Sequence, residues 1–237
     1  MSAVSRRSFL AGASAAGLAF GLAGCNTTSL NGAQPYASSS YTPLPAMPSV
    51  SAYGPVNDRF PIAAFDTSRV DAVYLRREVA FATREPPGTI VIDPKAHFLY
   101  YVQPGGRAMR YGVGVGKEGF GWSGTATINS KQEWPDWYPP KEMIERRPDI
   151  KAQLSQLQSG LGVKGGESNP LGARAMYLWQ NNKDTLYRIH GTLEPQTIGT
   201  NVSSGCIRMI NQDAIDLYNR VAIGTRVVVL GPGASSV

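Results

Sequence analysis

Cysteine and histidine are both scarce: the 237-residue chain holds two of each. Two cysteines cannot build a disulfide framework or a four-ligand zinc site. His97 and His190 show no metal-ligand spacing with them either, so neither a metal nor any other cofactor is expected. Charge is thin as well, at 17% of residues against 42% apolar, with 26 glycines and 17 prolines; that balance excludes a disordered chain. After residue 24 no apolar run approaches the roughly 18 residues that span a bilayer. The length suits one folded domain of about 150 residues plus extensions, enough to bury a core without staples.

What is present starts at the N-terminus. Ser5-Arg6-Arg7-Ser8-Phe9-Leu10-Ala11 resembles a twin-arginine export signal, followed by a small-residue apolar run from Ala11 to Gly24. The run ends Leu22-Ala23-Gly24-Cys25, which looks like a lipobox, where Cys25 is acylated and the chain is cut before it; a simple secretory signal is the alternative. The expectation is a periplasmic lipoprotein, held to a membrane through the lipid on Cys25. A formal charge of +6 would ordinarily raise nucleic-acid binding, but an exported protein meets no chromosomal DNA, and no nucleic-acid partner is expected. Loss of Arg6 and Arg7 leaves 21 basic residues against 17 acidic ones, which suits anionic wall polymer or lipid head groups, or simply an ordinary soluble surface.

Composition divides the rest. Residues 25–65 are rich in Pro, Ser, Ala, Gly and Tyr and read as a flexible linker; 66–87 read as a lead-in packed on the domain edge; 88–231 form the domain and 232–237 a tail. Thr89-Ile90-Val91-Ile92, His97–Val102 and Met109–Val115 predict three strands, with Asp93-Pro94-Lys95-Ala96 and Pro104-Gly105-Gly106 as the turns of an antiparallel meander. Further short strands are expected at Thr125–Ser130, Ala173–Trp179, Leu186–His190 and Arg226–Leu230. Ala214, Leu217, Tyr218, Val221 and Ala222 repeat at helical spacing, predicting a helix over Asn211–Ile223 with Asn211 as its cap and Gly224 as its stop. A second helix is expected over Pro140–Gln156, broken by Pro148. Without βαβ alternation, the class is mainly β with a few appended helices.

Gly112-Val113-Gly114-Val115-Gly116 superficially resembles a dinucleotide-binding turn, but Lys117–Trp122 cannot begin the helix that such a turn requires. The glycines read instead as places where the backbone approaches another surface. His97 reads as structural or exposed. The informative stretch is Arg188-Ile189-His190-Gly191-Thr192, then Ile198-Gly199, then Ser203-Ser204-Gly205-Cys206-Ile207-Arg208-Met209. A thiol with a reference pKa of about 8.5 needs a base to act near neutral pH. His190, ending a predicted strand, can supply one if the intervening loop returns Cys206 to it, and Gly205 permits a tight turn that aims N–H groups at an oxyanion. On the residues alone, a catalytic pair and a buried cysteine beside a core histidine both remain open.

These residues resemble the signature of the L,D-transpeptidase catalytic domain family. The resemblance covers about residues 86–231, including the opening Pro-Gly-Thr-Ile-Val-Ile-Asp strand, Trp134-Pro135-Asp136-Trp137-Tyr138-Pro139-Pro140 and Asn169-Pro170-Leu171-Gly172-Ala173-Arg174. It implies an L,D-transpeptidase-like β-sandwich that cross-links peptidoglycan through a cysteine. Cys206 would attack the carbonyl of the third residue of a tetrapeptide stem, expel the terminal D-alanine and form a thioester. An amine would then resolve it, from a neighbouring stem or from a protein to be tethered to the wall, an outer-membrane protein among the candidates. The resemblance makes His190 the proton carrier, the Gly191 carbonyl its orienter, and N–H groups around Gly205 and Cys206 the oxyanion site. It makes Arg208, Ser203, Ser204, Trp134, Trp137 and Tyr138 substrate contacts, a structural ion pair for Arg208 and core anchors for the aromatics being the alternatives, and it extends to carbapenem sensitivity; Arg174 and Arg188 are weaker candidates, Arg188 because strand alternation puts it on the His190 face. Many members carry a histidine where this chain has Ser204, so any role of that second histidine does not transfer. Two rivals stay open: a Cys-His hydrolase that lets water resolve the thioester, and a non-catalytic wall-binding lipoprotein.

Overall fold

The computed structural model describes residues 50–116, 122–139, 141–146, 148–203 and 205–231. The segment read as an export signal, Cys25, Ser204, Pro140, residues 117–121 and residues 232–237 lie outside them. In chain order the strands are β1 (Arg77–Ala80), β2 (Ile90–Asp93), β3 (Phe98–Gln103), β4 (Arg107–Gly112), β5 (Val115–Gly116), β6 (Gly124–Glu133), β7 (Ser155–Leu157), β8 (Gly160–Gly162), β9 (Arg174–Gln180), β10 (Lys183–His190), β11 (Asn201–Ser203), β12 (Ile207–Arg208) and β13 (Arg226–Val229). Nine of them form one sheet in the order β1-β4-β3-β2-β13-β6-β9-β10-β12. The class is mainly β, as expected.

The meander of β2, β3 and β4 is antiparallel throughout, and Asp93 closes its first turn by accepting the Ala96 N–H at 3.0 Å. β2 reads as an unbroken apolar run because both of its faces are covered. Ile90 and Ile92 enter the main core with Leu99, Ile128, Met176, Leu178 and Ile189, whereas Val91 joins a smaller cluster where Phe81 stacks on Tyr100 at 4.3 Å. Each fully buried aliphatic side chain contributes about 1.5–3 kcal/mol. The sheet folds over on this core: beyond β4, Gly114 exchanges two backbone hydrogen bonds with Arg208 of β12, seven places away in strand order. A Cβ on Gly114 would lie 2.6 Å from the Thr197 carbonyl oxygen, so the close approach read from that Gly-rich run is real. β5 leads to β6 across only residues 117–123, too short a connection for a crossover helix.

Two helices are appended among the described residues, and both differ from expectation in detail. α1 (Lys141–Arg146) gives way to a 3-10 turn over Pro148–Gln153, and residues 155–162 form the β7–β8 hairpin rather than more helix. α2 (Asn211–Arg220) stops before Ile223, with Val221 extended at its C-cap, and Lys131 Nζ donates to the Tyr218 and Val221 carbonyls at 2.7 and 2.6 Å, a cation at the negative end of the helix. Asn211 does not cap it; Ile210 holds the cap position without a side-chain bond. The largest correction concerns the linker. Residues 50–65, assigned to it by composition, pack on the domain: Tyr53 is 2% exposed and clusters with Val70, Leu75, Ile198 and Ile210.

Candidate active site

β10 ends on His190, and β12 runs parallel beside it with Ile189 opposite Ile207 and His190 opposite Arg208. Ile189 and Ile207 belong to the main core, so the two-residue period of a strand turns Arg188, His190 and Arg208 to the opposite face. Cys206 immediately precedes Ile207 and is held to the same place. Its thiol accepts the Arg188 backbone N–H and feels the guanidinium charges of Arg188 and Arg208. The Met209 N–H donates to the His190 carbonyl at 2.8 Å and closes the segment onto β10.

His190 is 4% exposed, and its Nδ1 lies 2.5 Å from the Gly191 carbonyl oxygen. A carbonyl only accepts, so Nδ1 carries the proton and Nε2 keeps its lone pair. Burial drives the imidazole from 6.5 down to about 4, against the pull of the Gly191 and Leu171 carbonyls and helped by the charges of Arg208 and Arg188. Burial also pushes the Cys206 thiol up, opposed by the Arg188 N–H and both guanidiniums. At neutral pH the Cys206 thiol and the His190 imidazole therefore both rest uncharged. Gly205 has φ +127°, and a Cβ there would meet the Tyr187 ring at 3.2 Å, so a side chain is disfavoured twice over directly before the cysteine.

The expected substrate contacts divide. Arg208 reaches Glu194 at 2.7 Å on the open face of the site, and Arg188 makes two 2.7 Å bonds to Asp184 while lying over the Tyr177 ring at 4.5 Å. Tyr138 is half-buried, with its hydroxyl 3.4 Å from Asp136. Trp134 is only 5% exposed and packs edge-on against Phe60 at 5.0 Å; it is a core anchor with no free face for a ligand. Trp137 pairs through its backbone with Val163. Arg174, 6% exposed, binds Asp58 at 2.6 Å and the Ala173 carbonyl, a structural place. Ser203 lies in β11 opposite Gly116, and Ser204 is outside the described residues. His97 accepts a structural role as read, its Nε2 2.8 Å from Asn201 Oδ1. No cluster of three metal-ligating side chains occurs among the described residues, and no described helix is long and apolar enough to cross a membrane.

Tyr177 and Asp184 were not picked out from the sequence. The Tyr177 phenol is pushed up by burial and feels Arg188, Asp136, Asp184 and Cys206 around it, which puts it at the site. Its place follows from the pairing of Tyr177 with Arg188 across β9 and β10, a register that the apolar run of β9 does not disclose.

Residues 87–229, more than half of the chain, match the YkuD family, the L,D-transpeptidase catalytic domain. The chain is 32% identical over 148 residues to a probable L,D-transpeptidase, ErfK/SrfK, of Escherichia coli strain K12, covering 60% of this chain and 43% of that protein. It is 30% identical over 144 residues to a second from the same strain, YbiS, again covering 43% of the relative, so it spans under half the length of both. A solved Brucella melitensis structure, titled a probable carnitine operon oxidoreductase, is 55% identical, covers 65% of this chain and 92% of its own, and has a TM-score of 0.44.

Proposed function

The chain belongs to the L,D-transpeptidase catalytic domain family, and from that premise we propose that it transfers peptidoglycan stem peptides through a thioester on Cys206. The observations that support this reading are a buried imidazole whose Nδ1 proton is committed to the Gly191 carbonyl and a cysteine that directly precedes β12, the strand paired with β10 at His190. As Cys206 Sγ bonds to the carbonyl carbon of the third stem residue, its proton passes to His190 Nε2. The imidazolium returns that proton to the departing D-alanine nitrogen as the C–N bond breaks. An acceptor amine then attacks the thioester, gives a proton to Nε2, and releases Sγ, which takes the proton back. N–H groups at Gly205 and Cys206 bear the oxyanion, and Arg208, on the open side, holds a donor carboxylate by exchanging its bond to Glu194. Ser203, Ser204, Arg188 and Tyr138 border the donor.

The acceptor is an amine of a neighbouring stem or of a protein to be attached to the wall. The proposed setting is periplasmic, with residues 1–24 as export signal and Cys25 as lipid anchor. Incubating the full-length chain in detergent with disaccharide tetrapeptide, and identifying products by mass spectrometry, tests the reaction. A 3→3 dimer supports transfer; tripeptide alone means that water resolves the thioester; unchanged substrate leaves a binder. Release of the protein from membranes by Cys25→Ala supports the anchor, and a wild type that is wholly soluble and carries no lipid mass on residue 25 rejects it.

A further inference from the structure

We propose that Asn211 is a positioning residue for His190, and that the segment from Tyr53 to Arg76, which precedes the matched family region, holds Asn211 in place from behind. The proposal rests on the reading of His190 as the base.

Asparagine is among the best helix caps, yet Asn211 sits one position inside α2 and spends its amide elsewhere. Its Oδ1 accepts the Ala173 N–H at 3.0 Å and its Nδ2 donates to the Thr192 carbonyl at 3.3 Å. One side chain thus ties together two loops, 171–173 and 191–192. The space is shaped for it, since a Cβ on Gly172 or Gly191 would come within 2.2 or 2.1 Å of Oδ1. The same loops carry the Leu171 and Gly191 carbonyls that act on the imidazole. A carbonyl that drifts by a few tenths of an ångström loses its hold on Nδ1–H, and the tautomer with Nε2 free loses its preference.

The next two residues reach the opposite way. Gln212 Nε2 donates to the Ala63 carbonyl at 3.0 Å and the Gly54 carbonyl at 3.3 Å. Asp213 takes the Tyr53 hydroxyl at 3.1 Å and faces Arg76 at 3.6 Å. Residues 211, 212 and 213 are consecutive in the first turn of α2, so the contacts that fix the strap also fix the amide beside the base.

The test needs no peptidoglycan, so its failure is separable from failure of the proposed reaction. Using the full-length chain in detergent, the rate of Cys206 alkylation by iodoacetamide is followed by peptide mass across pH 4–9, a range chosen around the reference thiol value. Nitrogen NMR of the imidazoles reads the His190 tautomer. Asn211→Ala is expected to slow alkylation at neutral pH about tenfold, the scale of one or two lost hydrogen bonds, and to turn a single Nδ1–H form into a mixture. Gln212→Ala should show the same two signatures at about two- to threefold, and it carries the test alone should Asn211→Ala fail to fold. A folded Asn211→Ala with the wild-type pH profile and one tautomer overturns the positioning role. A silent Gln212→Ala overturns the part given to the strap and, where Asn211→Ala does not fold, the positioning role with it.

Discussion

His190 and Asp213 are both buried, at 4% and 0% exposure, and burial pushes each towards its uncharged form, the imidazole down to about 4 and the carboxyl up to about 7. Their surroundings differ. Asp213 lies in a side-chain network: Tyr53 donates to it, Arg76 faces it, and Arg76 continues to Asp216, which also takes Tyr111 and Arg220. His190 has no such counter-ion among the described residues. Backbone carbonyls hold it, and the nearest cations, Arg188 and Arg208, are already engaged by Asp184 and Glu194. Where the fold joins its N-terminal strap to α2, charge is neutralised on the spot. Where chemistry is proposed, the neighbouring cations are each paired with a carboxylate and main-chain carbonyls hold the imidazole, so its proton can come and go.

The hardest test of that contrast is to remove the chemistry and keep the fold. Cys206→Ser and His190→Ala should each lower transfer about a thousandfold or more while the circular dichroism spectrum and melting cooperativity stay those of the wild type. Near-normal cross-linking by Cys206→Ser would end the mechanism. Arg76→Ala should do the reverse. Stripping the cation from a fully buried carboxyl costs about 3 kcal/mol or more, read as a lower urea midpoint, with the turnover of folded molecules reduced far less than in the first two variants.

Titration sharpens the contrast next, because the two groups carry opposite signs. The carboxyl of Asp213 is raised above its unfolded value of 3.8, so its contribution is fully present below about pH 4 and is lost as pH rises through about 7. The imidazole of His190 is depressed from 6.5 to about 4, so its contribution is present above 6.5 and is lost as pH falls through about 4. Between those limits they oppose each other, at up to about 1.4 kcal/mol per pH unit each. Relative to wild type, Asp213→Asn should gain stability as pH rises from 4.5 to 6.5, the window set by these shifts, and His190→Ala should lose it. Urea unfolding at the two ends of the window gives the answer, and parallel curves for the three proteins would show that neither group is shifted as described.

The smallest effect is expected on the open side of the site. Glu194 is 58% exposed, and an exposed ion pair adds no more than about 0.5–1 kcal/mol. Glu194→Gln should leave stability almost unchanged while lowering KM for a donor carboxylate by freeing Arg208. An unchanged KM would return Arg208 to a purely structural pair.

Much of this was legible in the residues. The β-branched run at Thr89–Ile92, its Asp-Pro turn and the apolar stripe of Ala214, Leu217 and Val221 marked elements because local chemistry chose them. His190, Gly205 and Cys206 stood out through the family resemblance, because the residues alone left a catalytic pair and a buried cysteine beside a core histidine both open. What escaped depended on distant partners. Pro- and Ser-rich composition hid Tyr53 in a linker, since its burial comes from Ile198 and Ile210, far along the chain. Trp134 looked like a binding aromatic, but Phe60 of that same overlooked segment covers it. Asn211 looked like a cap until the Ala173 N–H claimed its oxygen.

The entry of the strap has a mechanical meaning. If Cys25 is fixed in a membrane while the site is joined to a rigid wall strand, any pull between the two layers travels along the covalent chain into the described segment that includes Ala52 and Tyr53. There the Ala52 carbonyl takes Arg76 Nη2 and the Tyr53 hydroxyl reaches Asp213, and Arg76 is itself paired with Asp213 and Asp216 of α2. Load carried by these contacts would fall on the first turn of α2, next to the loops that hold the proposed base.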